Sequence, residues 1–197
     1  MEEIAFYGSV VIGMIFMSTG WSNFKKLEEH TGIIMAYKIL PSRMASVFAK
    51  VDVWFQLLVS VLLLLGLFRQ AALGIVTVLL LLYATAISVN MWRGRREISC
   101  GCGGVMGDHH LSWSLVVRNV LLAFVSGWLI TVPVSLGCLD AVLAGAEWSE
   151  VLSIQVLQLH LVALLTLMTC TTAMKLYEVW RRMDEMNKGM LEMVRRG

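Results

Sequence analysis

The sequence predicts an all-α integral membrane protein: a four-helix transmembrane bundle core, a fifth transmembrane helix and a cytoplasmic amphipathic C-terminal helix. Three observations carry that expectation. Charged residues make up 15% of the 197 positions, where a soluble domain carries about 25%. Mean hydropathy is +0.74. Five apolar runs approach the roughly 20 residues that a helix needs to cross a hydrocarbon core of about 30 Å. The runs are unbroken, whereas outer-membrane barrels show short alternating segments.

The first segment, about 4–24, is uncharged. Glu2 and Glu3 stand where a signal peptide would place basic residues, so it is read as a retained helix. The second, about 45–68, carries Lys50 and Asp52 in its first two turns. Only Arg69 and Gln70 separate it from the third, about 70–92, so the two are expected to form an antiparallel hairpin. The fourth, about 113–139, contains Pro133 near its outer end, where a kink is expected. The fifth, about 151–178, holds Gln155, Gln158 and His160, which suit hydrogen bonding between helices. Residues 1–174 thus form the bundle. In the tail, 175–197, Met183, Met186, Met190 and Met193 recur at helical spacing among charges. That pattern fits an amphipathic helix on the membrane or a partner, with Cu(I) binding by four thioethers as the alternative.

Basic residues set the orientation. With five spans, 15 of the 16 Lys and Arg residues fall on one side, and only Arg69 lies opposite. Lys and Arg concentrate on the cytoplasmic side. The N-terminus is therefore expected outside, and the C-terminus and the loop after the third helix inside, in a bacterial-type inner membrane.

That loop carries Cys100-Gly101-Cys102-Gly103-Gly104, with His109 and His110 beyond it. Two thiols one glycine apart can close a small ring, helped by the freedom of Gly101, and strained disulfides are the labile, catalytic ones. Nearby Arg93, Arg95 and Arg96 favour the thiolate, which is both nucleophile and metal ligand. A soft-metal site built from Cys100, Cys102, His109 and His110 is a second reading, and inert loop cysteines a third. Cys170 lies about two turns before the inner end of the fifth helix, with Asp52, Arg118 and Asn119 at similar depth. Ionisable groups inside a membrane are costly and point to function. A structural Asp52–Arg118 or Lys50–Asp52 pair is the competing explanation. Cys138 falls at the opposite end. Trp54 and Phe55 could wall a quinone pocket, or simply pack.

Tyr37, Leu40 and Pro41 before the second helix, Arg93 and Gly94 after the third, the Cys100–Gly104 run, and Arg118-Asn119 opening the fourth together resemble the MauE/DoxX family of membrane redox proteins. The resemblance covers about residues 1–130. It implies a four-helix core, Cys100 and Cys102 as the redox pair, and thiol–disulfide or sulfur chemistry beside a partner protein. Two positions depart from the family pattern. Gln56 stands where an acidic residue is expected, with Asp52 one turn earlier, and Gly104 replaces an aromatic.

The expected function is a membrane thiol–disulfide oxidoreductase. Cys100 and Cys102 exchange electrons, Cys170 is a candidate resolving thiol, and Asp52 handles the proton with Arg118 and Asn119 nearby. The expected partners are the bilayer and a thioredoxin-like, rhodanese-like or sulfur-carrying protein, with no nucleic acid. A quinone is the candidate second acceptor. Placement at the cytoplasmic face suits a protein drawing reductant from inside. The alternatives are a Cu, Hg or Zn carrier and a non-catalytic scaffold docking a soluble enzyme.

Overall fold

A computed structural model describes residues 1–101, 110–134, 136–143, 145 and 153–196. The described residues form helices: α1 (Glu2–Lys25), α2 (Leu27–Ala36), α3 (Ser42–Leu65), α4 (Arg69–Trp92), α5 (Trp113–Thr131), the short α6 (Leu139–Leu143) and α7 (Ile154–Arg196). Five of them, α1, α3, α4, α5 and the Ile154–Tyr177 part of α7, are long and apolar enough to cross a membrane. The protein is an all-α, multi-pass integral membrane protein.

Two close helix pairs build the core. Antiparallel α1 and α3 approach where Gly13 and Gly20 lie on α1. A Cβ at Gly13 would stand 3.1 Å from Leu63 Cβ, and one at Gly20 would stand 3.1 Å from Gln56 Cβ. Small residues at such crossings let backbones approach closely, which matters where lipid leaves no hydrophobic drive for association. The second pair is α4 and α5, joined by the Thr77–Ser126 hydroxyl contact at 2.8 Å. Between the pairs sits a core that includes Ile12, Phe16, Leu63, Leu73, Val76 and Leu129. Helix α7 rests on α1, where Tyr7 Oη donates to Thr166 Oγ1 at 2.8 Å. Its His160 reaches the Leu64 carbonyl of α3 at 3.2 Å, so the interhelical role expected of that polar group is the one it plays.

Arg69 is buried in the first turn of α4. Its Nε donates to Ser9 Oγ at 3.0 Å, and its Nη atoms donate to the carbonyls of Leu129 at 3.0 Å and Val132 at 3.1 Å. A helix leaves its last carbonyls unsatisfied, and here one guanidinium satisfies those of α5 while tying α1 to α4. The basic residue that stood apart in the sequence is thus a structural clamp.

Four differences from the sequence expectation have physical causes. The loop after α1 holds the short helix α2, with His30 and Ile33 one turn apart on it and Tyr37 just past its end. Helix α5 stops at Thr131 instead of kinking at Pro133. Val132 is extended, as a residue preceding proline is pushed to be. The tail continues α7 unbroken to Arg196, since no proline interrupts residues 154–196 and their only glycine is Gly189. Trp54 and Phe55 face outward, 63% and 41% exposed, and so wall no internal pocket.

The α3–α4 turn is tight. Gly66 has φ +64°, and a Cβ there would lie 2.4 Å from the Gly137 carbonyl oxygen. Gly66→Ala therefore combines a left-handed strain of roughly 1–2 kcal/mol with overpacking of about 1–3 kcal/mol. The expected loss is roughly 2–5 kcal/mol, read as a lower unfolding midpoint in detergent.

Candidate functional site

The site lies at the end of the bundle where α1 ends and α3 begins. Asp52 sits in the third turn of α3, 3% exposed, and its carboxylate is surrounded by donors from three helices. His30 Nε2 of α2 lies 3.1 Å from Oδ2. Gln56 Nε2, one turn along α3, donates to the same oxygen at 2.8 Å. The Tyr83 hydroxyl of α4 donates to Oδ1 and also accepts from Gln56 Nε2 at 2.9 Å. Asn23 of α1 closes the network on Gln56 Oε1 at 3.4 Å. Burying a carboxylate is tolerable only when its lone pairs are filled in this way. These partners replace the Asp52–Arg118 and Lys50–Asp52 pairings considered from sequence, because α2 folds back over α3 and brings an imidazole closer than either cation.

Cys100 lies above this network. It is buried in an apolar cluster with Ile87, Met91, Leu111 and Leu115, and its carbonyl accepts a hydrogen bond from Tyr37 Oη at 3.1 Å. Burial pushes the Tyr37 phenol well above its ordinary range, so it remains a protonated donor at any physiological pH. The segments flanking the loop hold each other. Leu111 N donates to the Ile98 carbonyl at 3.0 Å, and Ser99 and His110 form an isolated antiparallel bridge. Gly101 has φ +68°, a conformation that glycine adopts without steric cost. A Cβ there would stand 3.2 Å from Ile33 and 3.6 Å from His30 Nδ1. The cysteine-bearing backbone thus rests on the imidazole that holds Asp52.

A cavity of about 340 Å³ joins these groups. Cys100, Gly101, His30, Asp52, Gln56, Tyr83, Arg118 and Asn119 line it along with an apolar majority. Of the residues expected from sequence, the structure therefore brings Cys100, Gly101, Asp52, Arg118 and Asn119 to one place. It does not bring Cys170 there. That thiol is free and exposed on α7, a helix packed against α1. Cys102, Gly103, Gly104 and His109 lie outside the described residues. His110 is exposed, with Nδ1 3.3 Å from the Glu97 carbonyl oxygen. Among the described residues no three His, Cys, Asp or Glu side chains are grouped to hold a metal ion.

Sequence reasoning missed His30 and Tyr83. Both carried a usable signal: Tyr83 is a polar group within an apolar span, and His30 stands one helical turn before Ile33.

Cys138 is a separate case at the opposite end. Burial pushes its thiol pKa up, Asp140 and Glu2 push the same way, and Arg69 opposes them. Less thiolate at neutral pH means slow alkylation that accelerates as the pH rises. Iodoacetamide should modify Cys138 far more slowly in the folded than in the denatured protein at neutral pH, with the gap narrowing in alkali. Peptide mass spectrometry reads both rates.

A multi-pass helical membrane protein whose cysteine loop sits over a buried carboxylate is the class these features define. A family model described as "Methylamine utilisation protein MauE" matches residues 1–132, and the chain belongs to that family. Three relatives are each called "Methylamine utilization protein MauE". That of Methylophilus methylotrophus is 28% identical over 134 residues, 68% of this chain and 70% of the relative. That of Paracoccus denitrificans is 30% identical over 132 residues, 64% and 71% of the two chains. That of Methylorubrum extorquens is 35% identical over 116 residues, 57% and 62%. No solved structure matches. The matched region ends beside the last residue of α5, so the whole cavity lies inside it and α6 and α7 lie beyond.

Proposed function

We propose that this protein is a thiol–disulfide redox protein in which Cys100 and Cys102 cycle between dithiol and disulfide. The observation that carries the reading is the position of His30 between Asp52 and the Cys100-Gly101 backbone. When Nε2 carries the hydrogen that Asp52 accepts, Nδ1 is left as a lone pair facing the cysteine loop. Such a lone pair can take the proton of an incoming or resolving thiol and return it. General acid–base help of this kind is worth about 10²–10⁴ in rate. Among the described residues Cys138 and Cys170 are free thiols.

The exchange runs through a mixed disulfide: a partner thiolate attacks one sulfur of the pair, and the other leaves as thiolate. The partner is a thioredoxin-like, rhodanese-like or sulfur-carrying protein meeting the loop at the membrane surface. The asymmetry of basic residues supports a cytoplasmic position for that surface, in an inner membrane. The relatives' names, methylamine utilization proteins, give the biological setting in which such a partner is to be sought. Cys170, exposed on α7, is not needed as a resolving thiol, since Cys100 and Cys102 supply both.

The test is a trap. Cys102→Ser in native membranes, quenched in acid, is expected to carry a partner protein disulfide-linked to Cys100. Recovery of Cys100 only as a free thiol would contradict the reading. Stoichiometric metal released from the wild-type protein by acid would favour a soft-metal carrier instead.

A further inference from the structure

The cavity beneath Cys100 holds more polar capacity than the Asp52 network uses. Asn119 Nδ2 and Arg118 Nε are buried and have no hydrogen-bond partner among the described residues, and the same is true of His30 Nδ1. Asn119 is 4% exposed and His30 7%. Buried polar atoms are almost always paired, so a group of orphans needs an explanation. These three come from two helices, α2 and α5, and all three side chains line one cavity. Two are donors, and the third is an acceptor when the imidazole's Nε2 carries the hydrogen given to Asp52.

The remaining lining says what kind of molecule fits. It is mostly apolar, including Ile33, Ile34 and Leu122. Phe48, Leu82 and Ile39 line the cavity and are also 37–50% exposed on the outer surface. The opening is therefore bordered by apolar side chains on a membrane-embedded bundle, and the occupant can enter from lipid. A ligand site is typically an apolar cleft of about 300–1,000 Å³ with a few placed polar groups, and 340 Å³ suits a single substituted ring. An aliphatic lipid tail would leave the donors unpaired. A polar metabolite would leave the apolar walls unmatched.

We propose that this cavity binds the ring of a membrane quinone, whose carbonyl oxygens accept hydrogen bonds from Asn119 Nδ2 and Arg118 Nε, and that this quinone oxidises the Cys100–Cys102 dithiol. The step rests on the redox function proposed above and supplies its second half. Two S–H bonds break and one S–S bond forms. The two electrons and two protons pass to the two carbonyl oxygens, giving the quinol. His30 Nδ1, between Gly101 and the cavity, carries thiol protons toward the ring. The net flow runs from a partner's dithiol, through the cysteine pair, into the bilayer's quinone pool.

The protein in nanodiscs, reduced and held without oxygen, is mixed with ubiquinone-1. One equivalent of quinol per chain should form as two thiols are lost. In equilibrium binding, Asn119→Leu should weaken ubiquinone-1 at least tenfold. Ile34→Trp, which fills the cavity from α2 without touching a polar group, should do the same, so that a misfolded Asn119 variant does not leave the matter open. A wild-type protein that titrates against a thiol buffer yet neither binds nor reduces ubiquinone-1 would overturn the quinone site and leave the thiol function standing. Binding without loss of thiols would overturn the electron transfer. Equally tight binding of an alkane of matching size, which offers no carbonyl, would overturn the assignment of the ligand.

Discussion

Asp52→Ala is expected to destabilise the protein by roughly 3–6 kcal/mol, because the change leaves His30, Gln56 and Tyr83 without their shared acceptor. Each buried polar group left unpaired costs about 1–3 kcal/mol, and the three reach the carboxylate from α2, α3 and α4. Asp52→Asn keeps the volume and one acceptor oxygen, so it should recover about half of the loss. The ordering wild type, Asn, Ala in unfolding midpoint, measured in one detergent, checks the prediction. Equal midpoints for wild type and Asp52→Ala would mean that the network does not hold α2 against α3 and α4.

His30→Gln should slow exchange between the cysteine pair and a small dithiol by about 10²-fold or more, at the low end of what general acid–base groups contribute. Glutamine can still donate to Asp52, so the network and the fold should survive. What it lacks is a ring nitrogen whose lone pair can take a proton and return it. The loss should therefore appear in the rate and its pH profile, with the equilibrium constant against the same dithiol nearly unchanged. If His30 only braces α2, both rate and profile would match wild type.

Much of the architecture is legible in the sequence because lipid imposes strong requirements. A span must be long and apolar, so the presence of five spans shows in the sequence, and Asp52, Arg118 and Asn119 stood out as polar groups at its margins. What a hydrophobic span hides is rotation. A helix that is apolar all round gives no polar stripe to mark its outward face. Depth therefore placed Cys170 beside the cysteine loop when the packing of α7 leaves it exposed, and Trp54 and Phe55 were candidate pocket walls although they face outward. The same blindness hid Tyr83. His30 was missed for a different reason: it stands in a connection short enough to read as loop, and only the fold of α2 onto α3 sets it over Asp52. Pro133 was placed inside a helix because the apolar run continues past it, yet the run's hydropathy does not override the proline's constraint on Val132.

The proposed function rests on one claim, that Cys100 and Cys102 are a reversible two-electron couple. Its most direct test is a redox titration of the purified wild-type protein against a thiol buffer, with thiols counted by mass tagging at each potential. The predicted result is one transition from two untagged to two tagged loop sulfurs. For a two-electron couple the ratio shifts tenfold for about 30 mV, and Cys138 and Cys170 should stay constant through it. Loop sulfurs that remain in one state across all accessible potentials would contradict the account.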